Sequence, residues 1–382
     1  MAFAQQLPQP PNPAAELAIG GTMTIDLGAI EANWRMLSRV LVTAECAAVV
    51  KADAYGLGLE PVTTKLAAAG CKTFFVANLA EARRVRACAP DAVIYVLDGF
   101  SPEGASVFAE LNARPVINGM TELAEWDAFV AGSNWQGTAA LHVDTGMNRL
   151  GMTAAEAAAL APRLQSGNHG IALLISHLAC AEAADHPLNA SQIRLFRELR
   201  MLYQGIAASL ANSSGIFLGD ATHYDVARPG AALYGINPTP SRPNPMTNVV
   251  ELTGRVLQVR SVEQGNTVGY SATWTARRAS RIAVVAVGYA DGLARAAGAS
   301  DRSRGAVALI GGKRCPLVGR VSMDLVCLDV TDVPAHLVRR REPVTFIGEK
   351  VPVDDLAAAA GTISYEILTR IGPRCRRVYR GA

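Results

Sequence analysis

The sequence has 382 residues, half of them apolar, and a formal net charge of +3. This length and apolar content suit about two or three domains with a large core. No basic tract is interleaved with aromatic residues, and no apolar run reaches the roughly 18 residues of a membrane-spanning helix. We therefore expect neither a nucleic-acid partner nor a membrane partner.

The first 21 residues predict a disordered arm, because they are rich in proline and carry no basic segment before an apolar stretch. They do not have the pattern of a signal peptide. The seven cysteines are odd in number, scattered and without metal-ligand spacing. They predict reduced thiols, no metal site and a cytoplasmic protein.

Residues 22–247 alternate between short apolar runs and Ala- and Leu-rich amphipathic stretches. The predicted strands are residues 46–51, 73–76, 93–97, 115–118, 139–143, 171–176, 206–212 and 223–227. Helical patterns between them include residues 61–69, 79–87, 154–164 and 190–203. Eight such units predict an α/β fold, a closed (β/α)8 TIM-type barrel whose active site lies at the C-terminal strand ends. An open doubly wound sheet is the alternative, although no glycines follow the G-x-G-x-x-G pattern.

Residues 248–382 predict a second, mostly β domain. Its apolar runs alternate or are β-branched, with glycine-rich turns between them; they are residues 251–263, 282–287, 306–310, 323–330 and 343–347. The proline-rich segment 234–245 is the predicted linker between the two domains.

Lys51 follows the small apolar residues 47–50, which are typical of a strand covered on both faces. Burial at the end of such a strand would lower the pKa of the amine toward the range of a nucleophile. The next residues include Tyr55 and two glycines, a setting suited to a lysine that carries pyridoxal phosphate as a Schiff base. The alternative is a lysine that extends to water. Only five lysines occur among 36 basic residues, and arginine cannot form a Schiff base.

Polar motifs follow the predicted barrel strands, and others lie in the β domain. They are residues 49–58, 142–151, 176–177, 211–215, 228–231, 268–274, 287–292, 319–324 and 363–366. Taken singly, the His177 motif is typical of a buried core histidine, and the Asn212-Ser213 motif is typical of a helix N-cap. Together and in this order, over about residues 22–380, the motifs resemble the alanine racemase family, and residues 49–58 match its pyridoxal-binding signature.

The resemblance implies pyridoxal 5'-phosphate as the cofactor. The cofactor-binding residues that it implies are Lys51, Tyr55, Arg149, His177, Asn212, Ser213, Arg228, Gly230, Ala231 and Tyr365. The hydroxyls of Tyr55, Tyr365 and Ser213 would hold the phosphate together with backbone amides of Gly230 and Ala231. A glycine at 230 lets the backbone approach the phosphate closely.

By the same resemblance, Arg228 faces the pyridine nitrogen. A guanidinium stays protonated, so it donates a hydrogen bond and keeps that nitrogen unprotonated. The weaker electron sink should suppress transamination and decarboxylation. His177 would link Arg228 to a tyrosine, and Arg149 would reach the phenolic oxygen of the cofactor and the substrate carboxylate.

Racemisation removes a proton from one face of a planar carbanion and delivers one to the other face. The resemblance implies that Lys51 serves one face and that Tyr270, from the partner subunit of a homodimer, serves the other, assisted by the His177–Arg228 chain. A cross-strand packing role is the alternative for Tyr270. Further implied residues are Met323 and Asp324 beside Arg149 at the substrate, and Tyr289, Arg295, Arg320, Glu182 and Ile363 at the entrance.

Three positions depart from the family pattern. Leu57 stands where histidine is frequent, and Glu182 where aspartate is frequent. His142 takes the position of a lysine that is carbamylated in many members and that orients the arginine at 149. Either a neutral His142 accepting a hydrogen bond or a small bound anion such as chloride could replace that charge.

The function that the sequence predicts is interconversion of L- and D-alanine. A racemase of broader or serine specificity would share the same catalytic residues and is the main alternative. An amino-acid decarboxylase would need an acidic residue in place of Arg228, and a non-enzymic cofactor carrier would not need Tyr270. Whether the role is supply of D-alanine for the cell wall or breakdown of alanine stays open.

Overall fold

The computed structural model of this chain describes residues 20–133, 135–164 and 170–381. The chain divides into two units, which we call the barrel unit (residues 26–249 and 379–381) and the β unit (residues 20–25 and 250–378). The predicted disordered arm lies outside the described residues, apart from Gly20 and Gly21. Within the described residues, no helix combines the length and apolarity needed to cross a membrane.

Strand β1 (Thr22–Asp26) lies in the sheet of the β unit, although the sequence placed it in the barrel. It pairs antiparallel with the long strand Val250–Val262, with Thr22 opposite Thr253. Met23 and Ile25 alternate into the core and are fully buried. Since its pairing partner lies far along the chain, the local pattern gives no indication of which sheet the strand joins.

The barrel unit contains a ring of short parallel strands. They are β2 (Glu45–Cys46), β3 (Ala48–Val49), β4 (Thr73–Val76), β5 (Val93–Val96), β6 (Arg114–Ile117), β7 (Ala139–His142), β8 (Ile171–Ile175), β9 (Ala207–Ser209) and β10 (Val226–Ala227). Strands β3 to β9 pair in chain order, and β10 pairs with β2, the first half of the same strand as β3. Asp225 N–H donates to the Ala208 carbonyl at 3.0 Å and joins β9 to β10. The ring therefore closes as an eight-stranded barrel, and the predicted fold class is confirmed.

Helices follow the barrel strands. In the described residues they are α1 (Leu27–Leu41), α2 (Leu59–Ala69), α3 (Leu79–Cys88), α4 (Ala105–Leu111), α5 (Met120–Gly132), α6 (Ala154–Leu164) and α7 (Pro187–Leu202). Helix α2 shows why they form where they do. Leu59, Val62 and Leu66 recur at helical spacing and are fully buried, and the helix ends at Gly70, whose φ of +107° suits a glycine cap.

Alternate residues of the barrel strands fill its interior. They include Ala47, Val49, Phe75, Tyr95, Val116, Ala140, Leu173 and Ile175. The rings of Phe75 and Tyr95 stack with their centroids 4.9 Å apart. This packed interior forms an apolar floor beneath the C-terminal strand ends, where polar groups therefore lose part of their hydration.

Besides β1, the strands of the β unit are β11 (Val250–Val262), β12 (Thr267–Val268), β13 (Trp274–Thr275), β14 (Ser280–Val285), β15 (Val307–Ile310), β16 (Lys313–Val318), β17 (Val326–Asp329), β18 (Pro343–Ile347) and β19 (Arg376–Arg380). Eight of the strands, including β1, form one antiparallel sheet with the order β14-β17-β16-β15-β18-β11-β1-β19. Strand β11 also pairs with β14, which gives the sheet a barrel-like closure. Two helices, α8 (Val353–Ala360) and α9 (Ser364–Arg370), complete the unit.

Candidate active site

Lys51 begins a left-handed helical turn that spans Lys51–Tyr55. The φ angles of Ala52, Asp53, Ala54 and Tyr55 lie between +52° and +57°. The sequence predicted a strand through residue 51, but the strand ends at Val49. Each non-glycine residue in this conformation costs about 1–2 kcal/mol, so the turn requires support from its surroundings.

That support comes from carboxylates on both sides of the turn. The Ala52 N–H donates to Glu81 Oε1 at 2.7 Å. Asp53 Oδ1 accepts from the Leu59 N–H at 3.0 Å and from Arg84 at 2.6 Å. The turn therefore holds Lys51 and Tyr55 at defined positions at the barrel end.

The Lys51 amine lies half-buried among other charged groups. Desolvation lowers the pKa of Lys51, and the positive charge of Arg149 lowers it further. Asp98 and Glu81 act in the opposite direction and do not reverse the shift. The amine therefore loses its proton more readily than a lysine in water, as the sequence predicted.

A second feature surrounds Gly230 at the end of β10. A Cβ at this position would overlap the hydroxyl of Tyr55, so only glycine fits there. The N–H groups of Gly230 and Ala232 both point at Ser213 Oγ, at 3.0 and 3.1 Å. Converging amides and hydroxyls of this kind form a cradle for an anion. The sequence named the Gly230 and Ala231 amides; the Gly230 amide donates to Ser213 together with the Ala232 amide, and the role of the Ala231 amide stays a prediction.

Arg228 is 5% exposed and lies over the ring of Phe75. Its guanidinium donates to Ser209 Oγ and to the Ser176 carbonyl, both at 2.5 Å. Desolvation lowers the pKa of Arg228 to about 10. It therefore remains a cation at neutral pH.

His177 is a neutral imidazole. Desolvation, followed by the positive charge of Arg228, lowers the pKa of His177 to about 3. The sequence expected a cationic chain in which His177 links Arg228 to a tyrosine. Instead, both described hydrogen bonds of the Arg228 guanidinium go to serine residues. Within the His177–Arg228 pair, the positive charge is therefore on Arg228, since burial disfavours the imidazolium.

Arg149 lies on a loop that Asp144 organises. The Asp144 carboxylate accepts hydrogen bonds from the N–H groups of Gly146, Met147 and Asn148 at 2.8–2.9 Å. The motif analysis did not assign Asp144 a role, although Asp-Thr-Gly is a typical aspartate turn.

Gln192, on α7, joins the ends of β7 and β8. Its Nε2 donates to Thr145 Oγ1 at 3.2 Å and to the His177 carbonyl at 2.9 Å, while its Oε1 accepts from the Ala179 N–H at 2.9 Å. The residue is fully buried. It therefore positions the segments that carry Arg149 and His177. No local signal in the sequence could have identified it, because its partners come from distant segments.

Two predicted barrel residues have other surroundings. Asn212 Oδ1 accepts from the Gly215 N–H at 2.8 Å, at the start of the short 3-10 helix Gly215–Leu218. Glu182 is exposed on the loop after β8.

The β unit brings several predicted site residues onto neighbouring loops. Tyr270 is 69% exposed and follows Gly269, whose φ is +83°. Arg320 donates to Ser271 Oγ at 3.2 Å and so joins the loop 319–324 to Tyr270. The same loop accepts hydrogen bonds at the Ser322 carbonyl from the Tyr289 N–H, at 3.0 Å.

The other predicted residues of the β unit differ in their environment. Asp324 is paired with Arg374 at 2.8 Å. Arg295 is exposed, as are Met323, Ile363 and Tyr365. Tyr365 lies in the first turn of α9, directly after Ile363 and Ser364.

Both parts of the chain match one known protein family. Residues 25–238 match the family described as alanine racemase, N-terminal domain, and residues 249–379 match alanine racemase, C-terminal domain. The chain is 51% identical to the alanine racemase of Methylobacterium nodulans over 360 residues, which cover 94% of this chain and 96% of that protein.

Solved structures give the same result. The crystal structure of alanine racemase from Bartonella henselae with covalently bound pyridoxal phosphate is 36% identical, with a TM-score of 0.88 and coverage of 94% of this chain and 99% of that one. The biosynthetic alanine racemase of Pseudomonas aeruginosa is 37% identical, with a TM-score of 0.88 and coverage of 95% and 99%. The chain therefore belongs to the alanine racemase family of pyridoxal phosphate-dependent isomerases.

Proposed function

We propose that this chain interconverts L- and D-alanine, with Lys51 and Tyr270 as the two bases and pyridoxal phosphate bound covalently at Lys51. The observation that carries this proposal is the desolvated Lys51 amine on the same barrel end as the anion cradle around Gly230. A cofactor that combines a reactive aldehyde with a phosphate needs both features.

The residues around Gly230 fit the phosphate of this cofactor. The missing Cβ lets the Tyr55 hydroxyl lie against the Gly230 backbone, and the N–H groups of Gly230 and Ala232 converge on Ser213 Oγ. Bound there, pyridoxal phosphate supplies the electron sink that acidifies the α-proton of an amino acid. Arg228 would hold the pyridine nitrogen of the cofactor, because a guanidinium that stays protonated donates hydrogen bonds without giving up a proton.

Lys51 moves the proton on one face of the substrate. Its lowered pKa provides the free amine that a base requires. Tyr270 moves the proton on the other face, and the Arg320 guanidinium, bonded to the adjacent Ser271, places a cation beside its loop. Arg149 binds the substrate carboxylate, because a guanidinium fork matches that group.

A second copy of this chain is the proposed partner. Tyr270, Met323 and Ile363 are 69%, 53% and 60% exposed, which is unusual for large apolar side chains on one unit. In a homodimer these side chains of the β unit contribute to the active site of the partner subunit. Such a dimer would explain why Tyr270, a proposed catalytic residue, is exposed to solvent in one chain alone.

The cytoplasm is the proposed location. All seven cysteines are free thiols, including the neighbouring buried Cys46 and Cys71. Burial raises the pKa of Cys46 to about 12, which makes it inert rather than reactive. Reduced structural thiols of this kind suit a reducing compartment.

The first prediction concerns Lys51. Borohydride treatment of the protein with pyridoxal phosphate should fix the cofactor on Lys51, detected by peptide mass spectrometry. The Lys51→Ala variant should give no adduct and no α-proton exchange with alanine or serine, because Lys51 is the lysine on the turn that brings Tyr55 to the cradle. Lys65→Ala is the matched control and should behave as the wild type, since Lys65 is paired with Glu31 on the barrel surface. An adduct on any other lysine contradicts the proposal.

The second prediction concerns the two faces of the substrate. Tyr270→Phe keeps the ring and removes the proton-transferring hydroxyl. It should slow α-proton loss from one enantiomer of alanine by about 100-fold or more, and the other far less, in single-turnover exchange. Trp274→Phe, on the same segment, controls for general disturbance of the loop. Equal losses for both enantiomers of alanine would show that Tyr270 is not a base on one face.

The third prediction concerns assembly. Lys51→Ala and Tyr270→Phe chains, each inactive alone, should regain activity when mixed and re-associated. About a quarter of full activity is the ceiling, because about half of the dimers are mixed and each has one intact site. Mixing two Lys51→Ala preparations should recover nothing. Absence of recovery despite demonstrated subunit exchange would place both bases in one chain.

A further inference from the structure

The short 3-10 helix Ala231–Tyr234 connects the anion cradle to the strand that leads to Lys51. It begins directly after Gly230, whose N–H belongs to the cradle. It ends at Tyr234, whose hydroxyl donates to the Val49 carbonyl at 2.9 Å. Val49 is the last residue of β3 and lies two positions before Lys51. This helix therefore reaches both parts of the proposed cofactor site.

A second hydrogen bond closes the connection into a ring. The Val49 N–H donates to the Pro229 carbonyl at 2.9 Å, so Val49 is held both at its N–H and at its carbonyl. The ring runs from Val49 to Pro229, along the 3-10 helix to the Tyr234 hydroxyl, and back to Val49. Two bonds fix the position of Val49 relative to the cradle, whereas the Pro229 bond alone would let Val49 turn about one point.

Tyr55 contacts both ends of the same helix. Its ring centroid lies 4.8 Å from that of Tyr234, with an angle of 33° between the rings. Its hydroxyl lies against Gly230, where a Cβ would overlap it. Tilted aromatic pairs at this distance are stabilising. Tyr234 therefore also supports the side chain that the resemblance assigns to the phosphate.

The helix is held on its other side by α1. Asn33, which is 1% exposed, donates to the Leu233 carbonyl at 3.2 Å. Gly235 ends the helix with a φ of +81°, and a Cβ at this position would overlap a neighbouring backbone carbonyl. Because the helix is fixed in this way, the Tyr234 hydroxyl places Val49 against it rather than following the strand.

The Tyr234 hydroxyl is a permanent donor. The residue is 1% exposed. Burial raises the pKa of Tyr234 well above its usual value, and the neighbouring Tyr55 raises it further. The phenol therefore keeps its proton at neutral pH and does not take part in proton transfer. A positioning role suits such a group.

We propose that Tyr234 is a positioning residue that fixes the distance between the Lys51 amine and the anion cradle. Pyridoxal phosphate carries its aldehyde and its phosphate on one rigid ring. A site that binds both groups at once gains affinity when that distance is set in advance. The inference rests on the proposed function, because it takes this cofactor to occupy both points.

The test compares inorganic phosphate, pyridoxal and pyridoxal phosphate on the full-length, cofactor-free protein. Inorganic phosphate occupies the cradle alone. Pyridoxal carries the aldehyde alone, which condenses with the Lys51 amine and releases water. Absorbance of the adduct gives the dissociation constants of pyridoxal and of pyridoxal phosphate, and competition with pyridoxal phosphate gives that of inorganic phosphate.

Tyr234→Phe keeps the ring that packs on Tyr55 and removes the hydrogen bond to Val49. It should bind inorganic phosphate and pyridoxal as the wild type does, because each of them contacts one part of the site. Pyridoxal phosphate should bind about three- to tenfold more weakly, the range for one lost neutral hydrogen bond, because the two parts are no longer held at the matching distance.

Tyr203→Phe is the matched control. Tyr203 is also a buried tyrosine, 2% exposed, and its hydroxyl donates to a backbone carbonyl, that of Ala157, at 2.5 Å. Both variants should lower the midpoint of thermal unfolding of the cofactor-free protein, since each removes the donor from a buried carbonyl. Only Tyr234→Phe should bind pyridoxal phosphate more weakly.

Two results would overturn the proposal. One is that Tyr234→Phe binds pyridoxal phosphate as tightly as the wild type. The other is an equal loss of affinity for inorganic phosphate or for pyridoxal, because Tyr234 would then support one part of the site rather than the distance between the two. A wild type whose adduct does not form on Lys51 would instead overturn the proposed function, and this inference with it.

Discussion

The crowding of positive charge on a poorly hydrated barrel end governs the chemistry of this site. Lys51, Arg149 and Arg228 share this end, above an interior filled by apolar side chains. Desolvation and the repulsion from neighbouring cations act in the same direction, since both disfavour the protonated forms of Lys51, His142 and His177. The pKa of His177 falls to about 3 and that of His142 to about 4. The same physical cause lowers the pKa of Lys51 and makes its amine available.

Much of the surrounding structure keeps these charges in place. The left-handed turn Lys51–Tyr55 is held by Glu81 and Asp53, although residues 52–55 adopt positive φ angles that are unfavourable for non-glycine residues. In the same way, Asp144 holds the loop that carries Arg149, and Gln192 holds the segment that carries His177. Strain that is stabilised by surrounding contacts is typical of functional sites. In this chain, the strained turn places the Lys51 amine and the Tyr55 phenol at one end of the barrel.

Local patterns in the sequence predicted a large part of the fold. The strands Thr73–Val76 and Pro343–Ile347 and the helix Ala154–Leu164 have the predicted bounds, because their apolar spacing is strong and their ends are marked by turn residues. Strand Lys313–Val318 was not predicted, because it begins with two charged residues and contains Pro316. The left-handed turn was not predicted either, since no local preference favours positive φ in alanine or tyrosine. The apolar residues that precede Lys51 were enough to single it out as a site residue. The role of Gln192 depends on its contacts with distant segments, which the sequence does not show.

The central claim is that burial and neighbouring cations lower the pKa of Lys51, and direct titration tests it. The chain has only five lysines, so ¹³C-methylation of the cofactor-free protein should give a small set of NMR signals, with the one absent from Lys51→Ala assigned to Lys51. That signal should titrate at a lower pH than the other four, and Arg149→Ala should move its pKa upward. A Lys51 signal that titrates together with the other lysines, or that does not respond to Arg149→Ala, would contradict the account.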